Sequence, residues 1–235
     1  YRETGKKAYE GHFKSGKKDG HGTDYFASGQ VRYWGEWKEG LPGGRRAIYH
    51  RATGGKVCQG RVKKGAGHNY VTEYYDNGQM KYQGGWLAGS AGGHGTLYHR
   101  GTGNKGYEGH FKKGEHDGLG TQFFDNGQMR YQGEWKNGLP DGRGTLYRRD
   151  SGQTAYEGHF KVGQKDGNGT EYYDNGQIRY QGQWKEGAQD SYGTLYHFET
   201  GNKAYEGHFK TGEKDGRGTE YYDNGRIKYQ GEWKE

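Results

Sequence analysis

The chain has 235 residues, of which 50 are glycine, 2 are proline and 28% are hydrophobic, and this composition excludes a large conventional core. Its net charge of +7 is spread over interspersed acidic and basic residues, without a lysine or arginine tract of the kind that binds nucleic acid. The single cysteine, Cys58, excludes an intrachain disulfide framework, and no apolar stretch reaches the length of a membrane span.

One sequence unit of 49 residues recurs along the whole chain and joins two related copies. Copies of type A begin with YEGHFK, and copies of type B begin with YQGEWK or a close variant. The starting tyrosines are Tyr9, Tyr107, Tyr156 and Tyr205 for type A, and Tyr82, Tyr131, Tyr180 and Tyr229 for type B. We therefore predict one continuous array over residues 1–235, with about ten copies of 24–25 residues. Because both ends fall inside a copy, we expect a window of a longer array or a mature piece of one.

The first segment of a type A copy has the pattern of a strand with two unlike faces. Tyr107, Gly109 and Phe111 alternate with polar residues, which is the period of two of a β-strand. The stretch KGEHDGLG then predicts a connection, and a second strand follows to Phe124. Asp125–Asn126–Gly127 comes next, and Asn-Gly favours a type I′ hairpin turn. The pattern in every copy predicts an all-β fold: an elongated repeat array of antiparallel β-hairpins that form one long twisted meander, without a helical domain.

Aromatic residues supply the burial that the few aliphatic residues do not. The 23 tyrosines, 8 phenylalanines and 6 tryptophans recur at fixed positions, and such rings bury much area in a thin protein. We predict a structural aromatic layer made of Tyr107, Phe111, Tyr131, Trp135, Tyr156, Phe160, Tyr180, Trp184, Tyr205, Phe209, Tyr229 and Trp233. Glycines leave room for these rings against the backbone. In two successive copies the repeat glycines are Gly109, Gly118, Gly120, Gly133, Gly142 and Gly144.

Residues 42–71 depart from the repeat pattern. Val57, Arg61 and Val62 replace the usual Tyr, His and Phe, and Cys58 stands where other copies carry Glu. Two interpretations are open: drift in a tolerant array, or a specialised lateral contact.

The polar residues of the repeat do not predict a catalytic or metal site. Four histidines hold equivalent places in type A copies: His12, His110, His159 and His208. Such places are four strands apart, roughly 19 Å at ~4.8 Å per strand, which is too far to share a metal. The Asp-Gly pairs lack the several oxygen ligands that calcium needs, and G-x-G triplets without a helix do not bind nucleotides. We therefore predict no catalytic residue, no metal and no cofactor.

With these residues, the chain resembles MORN-repeat proteins. That family's unit reads approximately Y-x-G-x-W/F-x-x-G-x-x-x-G-x-G, and the intervening YYDNGQIRY resembles the family's variant repeat. The residues of one copy that fit the unit are Tyr131, Gly133, Trp135, Gly138, Gly142 and Gly144. The resemblance implies a curved sheet of stacked hairpins, a scaffolding role, self-association at the array ends, and a cytoplasmic, cytoskeletal or membrane-associated location. It also implies an association with membranes and phosphoinositides, and it places any enzyme activity on a separate domain.

The leading functional hypothesis is a non-enzymatic structural or scaffold protein. It associates with itself, end to end or laterally, into a filament or an extracellular fibre, and it binds other proteins as a scaffold. Its end strands are expected to lack a neighbour and so to accept another copy. One alternative is a peripheral membrane or phosphoinositide-binding module that binds anionic lipid through Lys and Arg near strand ends. A second alternative is carbohydrate or cell-wall binding through Tyr and Trp. No nucleic-acid partner is expected.

Overall fold

The alternation of aromatic or glycine residues with polar residues produces strands along the whole described chain. The structure is a computed structural model that describes residues 1–62 and 69–234. It divides into two units, Tyr1–Glu115 and His116–Glu235. Residues 63–68, which belong to the divergent stretch, lie outside the described residues.

Nineteen strands lie within the described ranges. The first unit contains β1 (Tyr9–Lys14), β2 (Lys17–Tyr25), β3 (Val31–Lys38), β4 (Leu41–Tyr49), β5 (Lys56–Val62), β6 (Asn69–Tyr74), β7 (Met80–Leu87), β8 (Ser90–Tyr98) and β9 (Lys105–Lys112). The second unit contains β10 (Glu115–Phe123), whose first residue ends the first unit, and β11 (Met129–Lys136), β12 (Leu139–Tyr147), β13 (Thr154–Lys161), β14 (Gln164–Tyr172), β15 (Ile178–Lys185), β16 (Ala188–Tyr196), β17 (Lys203–Lys210), β18 (Glu213–Tyr221) and β19 (Ile227–Trp233).

Within each unit, every strand pairs antiparallel with the next strand in the sequence. The described residues form strands, turns and loops, and none of them is helical. The prediction of an all-β array of antiparallel hairpins is therefore confirmed. Within residues 1–62 and 69–234, no helix is long and apolar enough to cross a membrane.

In the copies whose connecting residues are described, a two-residue turn joins the two strands. Lys113 and Gly114 have φ angles of 53° and 87°, in the left-handed region that a type I′ turn requires of both residues. The Gly114 N–H donates to the Ala91 carbonyl at 2.9 Å, which ties the turn to the preceding copy. The sequence pattern placed all of KGEHDGLG in a connection. That prediction is wrong, because the turn uses only two residues and β10 already begins at Glu115.

The Asp-Asn-Gly corner is a three-residue loop of a different type. The Phe124 N–H donates to the Gln128 carbonyl at 2.8 Å, and the Gly127 N–H donates to the Phe124 carbonyl at 3.0 Å. Gly127 has a φ of 89°, whereas Asn126 does not enter the left-handed region. The corner is therefore a type I turn followed by a left-handed glycine, and the predicted type I′ turn at Asn-Gly is wrong. Asn126 instead accepts the Gln128 N–H through its side-chain oxygen, at 3.1 Å.

The repeat glycines form a row across the second unit. Gly133 pairs with Gly144, and each strand from β10 to β19 contributes one glycine to the row. Beyond the row, Trp135 pairs with Pro140, so β12 has more residues than β11 in this stretch and forms a bulge. Gly142 lies in the bulge with a φ of 107° and allows the strand to bend there.

The divergent copy keeps the register of the other copies but not the predicted alignment. Cys58 pairs with Glu73 in β5 and β6, as Tyr156 pairs with Glu171 in β13 and β14. Cys58 therefore takes the place of the first tyrosine of the repeat. The expectations that Val57 replaces the tyrosine and that Cys58 replaces Glu are therefore both wrong, because Gly60 is the residue that stands at the repeat glycine.

Candidate functional site

Within the second unit, the rings from the first strands of successive copies lie in one row. In the second unit each ring touches the next edge to face, with centroids 5.0 to 5.6 Å apart. The order of contact is Trp135, Tyr131, Phe160, Tyr156, Trp184, Tyr180, Phe209, Tyr205, Trp233 and Tyr229. In the first unit, Tyr107 and Phe111 make the same contact at 5.0 Å. We call these rings the aromatic row.

Tyr131, Tyr156, Tyr180 and Tyr205 of the aromatic row each cover a pair of glycines on neighbouring strands. Tyr131 lies over Gly133 and Gly144, and a Cβ added to Gly133 would lie 2.6 Å from the tyrosine hydroxyl. That hydroxyl donates to the Glu134 carbonyl at 3.0 Å. Burial raises the pKa of Tyr131 well above its usual range, and it raises the pKa of Tyr82 to about 12. The glycine pair is therefore the surface on which the ring packs.

The other repeat glycines serve the backbone and the same packing. Gly118 has a φ of 96°, which matches the left-handed bulge position of the next copy. Gly120 pairs with Gly133 in the glycine row, and Gly109 is buried in β9. These positions require glycine for two separate reasons: some have a positive φ, and others leave no space for a side chain.

A lysine covers the aromatic row in three type A copies, and the sequence analysis did not identify it. Lys165 lies 4.8 Å from the ring centre of Tyr156 and 4.2 Å from that of Trp184. Its ammonium group also pairs with the Glu171 carboxylate at 2.6 Å. The lysine therefore joins a cation–π contact to an ion pair on a half-buried surface. The equivalent pairs are Lys18 with Asp24 and Lys214 with Glu220.

The copy that begins at Tyr107 replaces this lysine and its acid by His116 and Gln122. The His116 ring packs edge to face against Trp135 at 5.0 Å. Burial lowers the pKa of His116 to about 4, so the imidazole is neutral at pH 7. A lysine and an acid six residues apart, repeated at multiples of 49 residues in three copies, is the sequence signal that would have revealed this position.

On the opposite face, polar side chains contact one another or the turns. The Arg143 Nε donates to the His159 Nε2 at 3.0 Å. The Asp19 carboxylate accepts the Glu39 N–H at 3.3 Å, so this Asp-Gly aspartate holds the turn of the next copy. Among the described residues, no group of three or more His, Cys, Asp or Glu side chains could hold a metal ion.

The first and last described strands leave rings uncovered. Phe13 in β1 is 62% exposed, whereas the equivalent Phe160 is 5% exposed. Tyr229 in β19 is 45% exposed, whereas the equivalent Tyr180 is fully buried. Tyr229 thus touches Trp233 but is not buried like the other tyrosines of the predicted layer, because no described strand follows β19.

Sequence models of two related repeats match the chain. The model of the MORN repeat matches residues 9–31, 82–102, 131–153 and 180–202. The model of the MORN repeat variant matches residues 68–86, 117–137, 165–186 and 214–235. Together they cover well over half of the chain. Each match of the first model starts in the first strand of a copy, and the three variant matches that start at described residues begin within the second strand of a copy. No curated protein matches the chain.

Proposed function

This chain belongs to the MORN-repeat family, and from that premise we propose that it is a non-enzymatic scaffold whose end strands bind further copies of the same chain. The observation that carries the proposal is the contact between successive copies inside the second unit, where the rings of one copy bury those of the next. A further copy of the chain presents the same rings, so it can make this contact with an exposed ring such as Phe13 or Tyr229.

Internal copies of the second unit show the ring-to-ring contact that Phe13 and Tyr229 lack. The Tyr180 and Phe209 rings lie 5.3 Å apart and bury each other, with Gly193 of β16 beneath the tyrosine. Phe13 and Tyr229 have no such counterpart from a neighbouring copy among the described residues. Burying one such ring contributes about 2 kcal/mol, so covering both ends favours association.

The last hairpin also carries exposed apolar side chains and a strand edge without a described partner. Tyr222 and Ile227 are both exposed there. Among the described strands β19 pairs only with β18, and a strand edge that faces no partner accepts another strand. Because the first and last strands are different surfaces, a contact that joins them is heterologous and leads to an open filament when it does not close into a ring.

Mass photometry of the purified chain over a concentration series tests this proposal, with negative-stain electron microscopy of the same samples. We expect oligomers that grow with concentration. Tyr229→Lys is expected to weaken association at least tenfold, or about 1.4 kcal/mol, because it removes the uncovered ring and adds a charge. Val162→Lys is the matched control, since Val162 is also exposed but lies in an internal turn where an equivalent turn already carries Lys113. Monomers at every concentration, or equal association of the two variants, would contradict the proposal.

A second candidate function, binding to an anionic membrane surface, is favoured by a row of lysines beside the two-residue turns. Lys136, Lys161 and Lys185 end alternate strands of the second unit, about 10 Å apart at ~4.8 Å per strand. All three are exposed, and none has a carboxylate within 4.0 Å among the described residues. Such a row of free ammonium groups is attracted to acidic lipid.

Sedimentation with phosphatidylserine vesicles tests this second function. Binding is expected to fall as salt rises, because each lysine contributes about 1 kcal/mol through a screened attraction. The variant in which Lys136, Lys161 and Lys185 are replaced by Gln should then lose binding while it self-associates like the parent chain. Equal sedimentation of the variant and the parent would rule out this surface.

A further inference from the structure

We propose that His94 and His110 form a binding site for a divalent transition metal such as Zn²⁺, Ni²⁺ or Cu²⁺ on the polar face of the first unit. The proposal does not depend on self-association or on membrane binding. It concerns two neighbouring strands, β8 and β9, that belong to successive copies of the repeat.

The two histidines face each other directly across the strands. His94 and His110 are register partners in the antiparallel pair β8–β9, and side chains of such partners project to the same face of a sheet. Their ring centroids lie 5.7 Å apart with an interplanar angle of 89°. Both side chains are exposed, so a metal ion reaches them from solvent without a change in the fold.

The two imidazole ligands determine which class of metal ion the pair can bind. Two neutral imidazoles suit Zn²⁺, Ni²⁺ and Cu²⁺, with metal–nitrogen distances of about 2.0–2.1 Å for zinc, whereas Ca²⁺ and Mg²⁺ require oxygen ligands. Rings this close need only rotate about their side-chain bonds to point one nitrogen each at a shared ion. Because no group of three or more ligating side chains occurs among the described residues, water completes the coordination, and the site is open rather than closed.

The neighbouring strand β7 adds no side chain at the position beside His94. Gly85 lies there, with its Cβ position 3.6 Å from the His94 carbonyl, whereas the corresponding residue of the second unit is Glu134. The nearest carboxylate on the same strand as His110 is Glu108, and it is already paired with Lys105 at 2.8 Å. Because both imidazoles are exposed, solvent supplies the metal-bound water molecules.

No other described pair at this position has the same chemistry. The corresponding partners are Arg143 with His159 and Tyr192 with His208. The repeat pattern relates His110 only to equivalent histidines in other type A copies, at least four strands away. The metal partner is instead the non-equivalent His94 on the adjacent strand, which only the strand register reveals.

Isothermal titration of the metal-free chain with ZnCl₂ at pH 7.5 tests the site, with three variants. The parent chain is expected to bind one equivalent, and His94→Gln and His110→Gln should each weaken binding about tenfold or more because one ligand is lost. Arg143→His is a gain-of-site variant, because it places two histidines opposite each other between β12 and β13 in the same register. It should bind two equivalents.

A thermal melt of each variant without metal shows whether its fold is intact, and a melt with Zn²⁺ gives a second readout. Zinc should raise the melting temperature of the parent chain and not that of His110→Gln, since a ligand that binds only the folded state stabilises it. The proposal is overturned if either glutamine variant with an intact fold titrates like the parent chain. A parent isotherm without a site, or an Arg143→His variant that gains none, also overturns it.

Discussion

Two hairpins of the same array, β13–β14 and β5–β6, fill the same space with different residues. In β13–β14 the Tyr156 ring covers Gly169 of the second strand. In β5–β6, Cys58 stands at the tyrosine position and Val71 at the glycine position. Val71 is only 2% exposed, and its Cγ2 would lie 3.2 Å from a Cβ added to Gly60. The side chain that fills this site therefore comes from the first strand in β13–β14 and from the second strand in β5–β6.

This exchange shows that a ring and a cross-strand glycine act as one packing unit. Neither Cys58 nor Val71 fits the repeat pattern alone, yet together they restore a filled site. Burial also raises the pKa of the Cys58 thiol, which favours the uncharged thiol there. The departures at Cys58 and Val71 are thus explained by compensation at one packing site, whereas a lateral contact by residues 42–71 stays a prediction.

The largest expected loss of stability comes from Gly169→Val, which places a valine under the Tyr156 ring. A Cβ at Gly169 would lie 2.6 Å from Cε2 of Tyr156, so the buried ring has to leave its site. We expect a loss of about 4 kcal/mol in the free energy of unfolding, measured by urea denaturation. Gly101→Val is the control, because a Cβ there would meet no atom within 4 Å, and it should change stability by less than about 0.5 kcal/mol.

Removal of a ring from the aromatic row is the next largest effect. Trp135→Ala should cost about 3 kcal/mol, because the buried indole packs against Tyr131 and donates to the Gly120 carbonyl at 3.1 Å. His159→Ala, on the exposed face, should leave the stability nearly unchanged when both variants are compared by thermal and urea denaturation. Similar losses for the two variants would show that the two faces are assigned incorrectly.

In the divergent hairpin β5–β6, the opposite change from valine to glycine should also lower the stability. Val71→Gly restores the repeat residue but leaves Cys58 as the first-strand partner, so a cavity replaces the two valine methyl groups. We expect a loss of about 2 kcal/mol by urea denaturation. A neutral or stabilising result would mean that Val71 does not fill the site left by the missing tyrosine.

The smallest expected effect on stability concerns one position that differs between two type A copies. Lys165 occupies it in one copy and His116 in the other. Burial lowers the pKa of His116 to about 4 from about 6.5 in the unfolded chain, so the unfolded state takes up the proton first as pH falls. The stabilising contribution is present above about pH 6.5 and is lost as pH falls towards 4. Between pH 7 and pH 5 the parent chain should lose on the order of 1 kcal/mol more than His116→Gln, a moderate value because the ring keeps partial contact with solvent.

Urea denaturation of both proteins at the two pH values measures this difference, and carboxylates shared by both cancel in the comparison. An identical pH dependence for the parent chain and His116→Gln would show that the buried neutral imidazole does not contribute.

The fold could be predicted because the repeat encodes it redundantly. Tyr107, Gly109 and Phe111 alternate with polar residues, and the same alternation returns in each copy, so strand period and hairpin succession follow from sequence alone. Turn type did not follow, because Lys113–Gly114 and Asn126–Gly127 both suit a type I′ turn. Only the backbone hydrogen bonds distinguish the two-residue turn from the three-residue corner.

The surfaces were harder to predict for a related physical reason. Lys165 fell in a segment expected to be a connection, so its direction towards the rings could not be inferred. The opposition of His94 and His110 depends on the register between copies, and the exchange at Cys58 depends on a one-residue shift of alignment. Register is set by packing across strands, which the residues of one copy alone do not specify.

The measurement that tests the central claim most directly is a double-mutant cycle of Tyr156→Cys and Gly169→Val, followed by urea denaturation. If a ring and its glycine are one packing unit, the valine should cost about 4 kcal/mol beside tyrosine but about 1 kcal/mol beside cysteine, a coupling of about 3 kcal/mol. The double variant would then reproduce in β13–β14 the solution found in β5–β6. Additive losses, with a coupling below about 0.5 kcal/mol, would contradict the account.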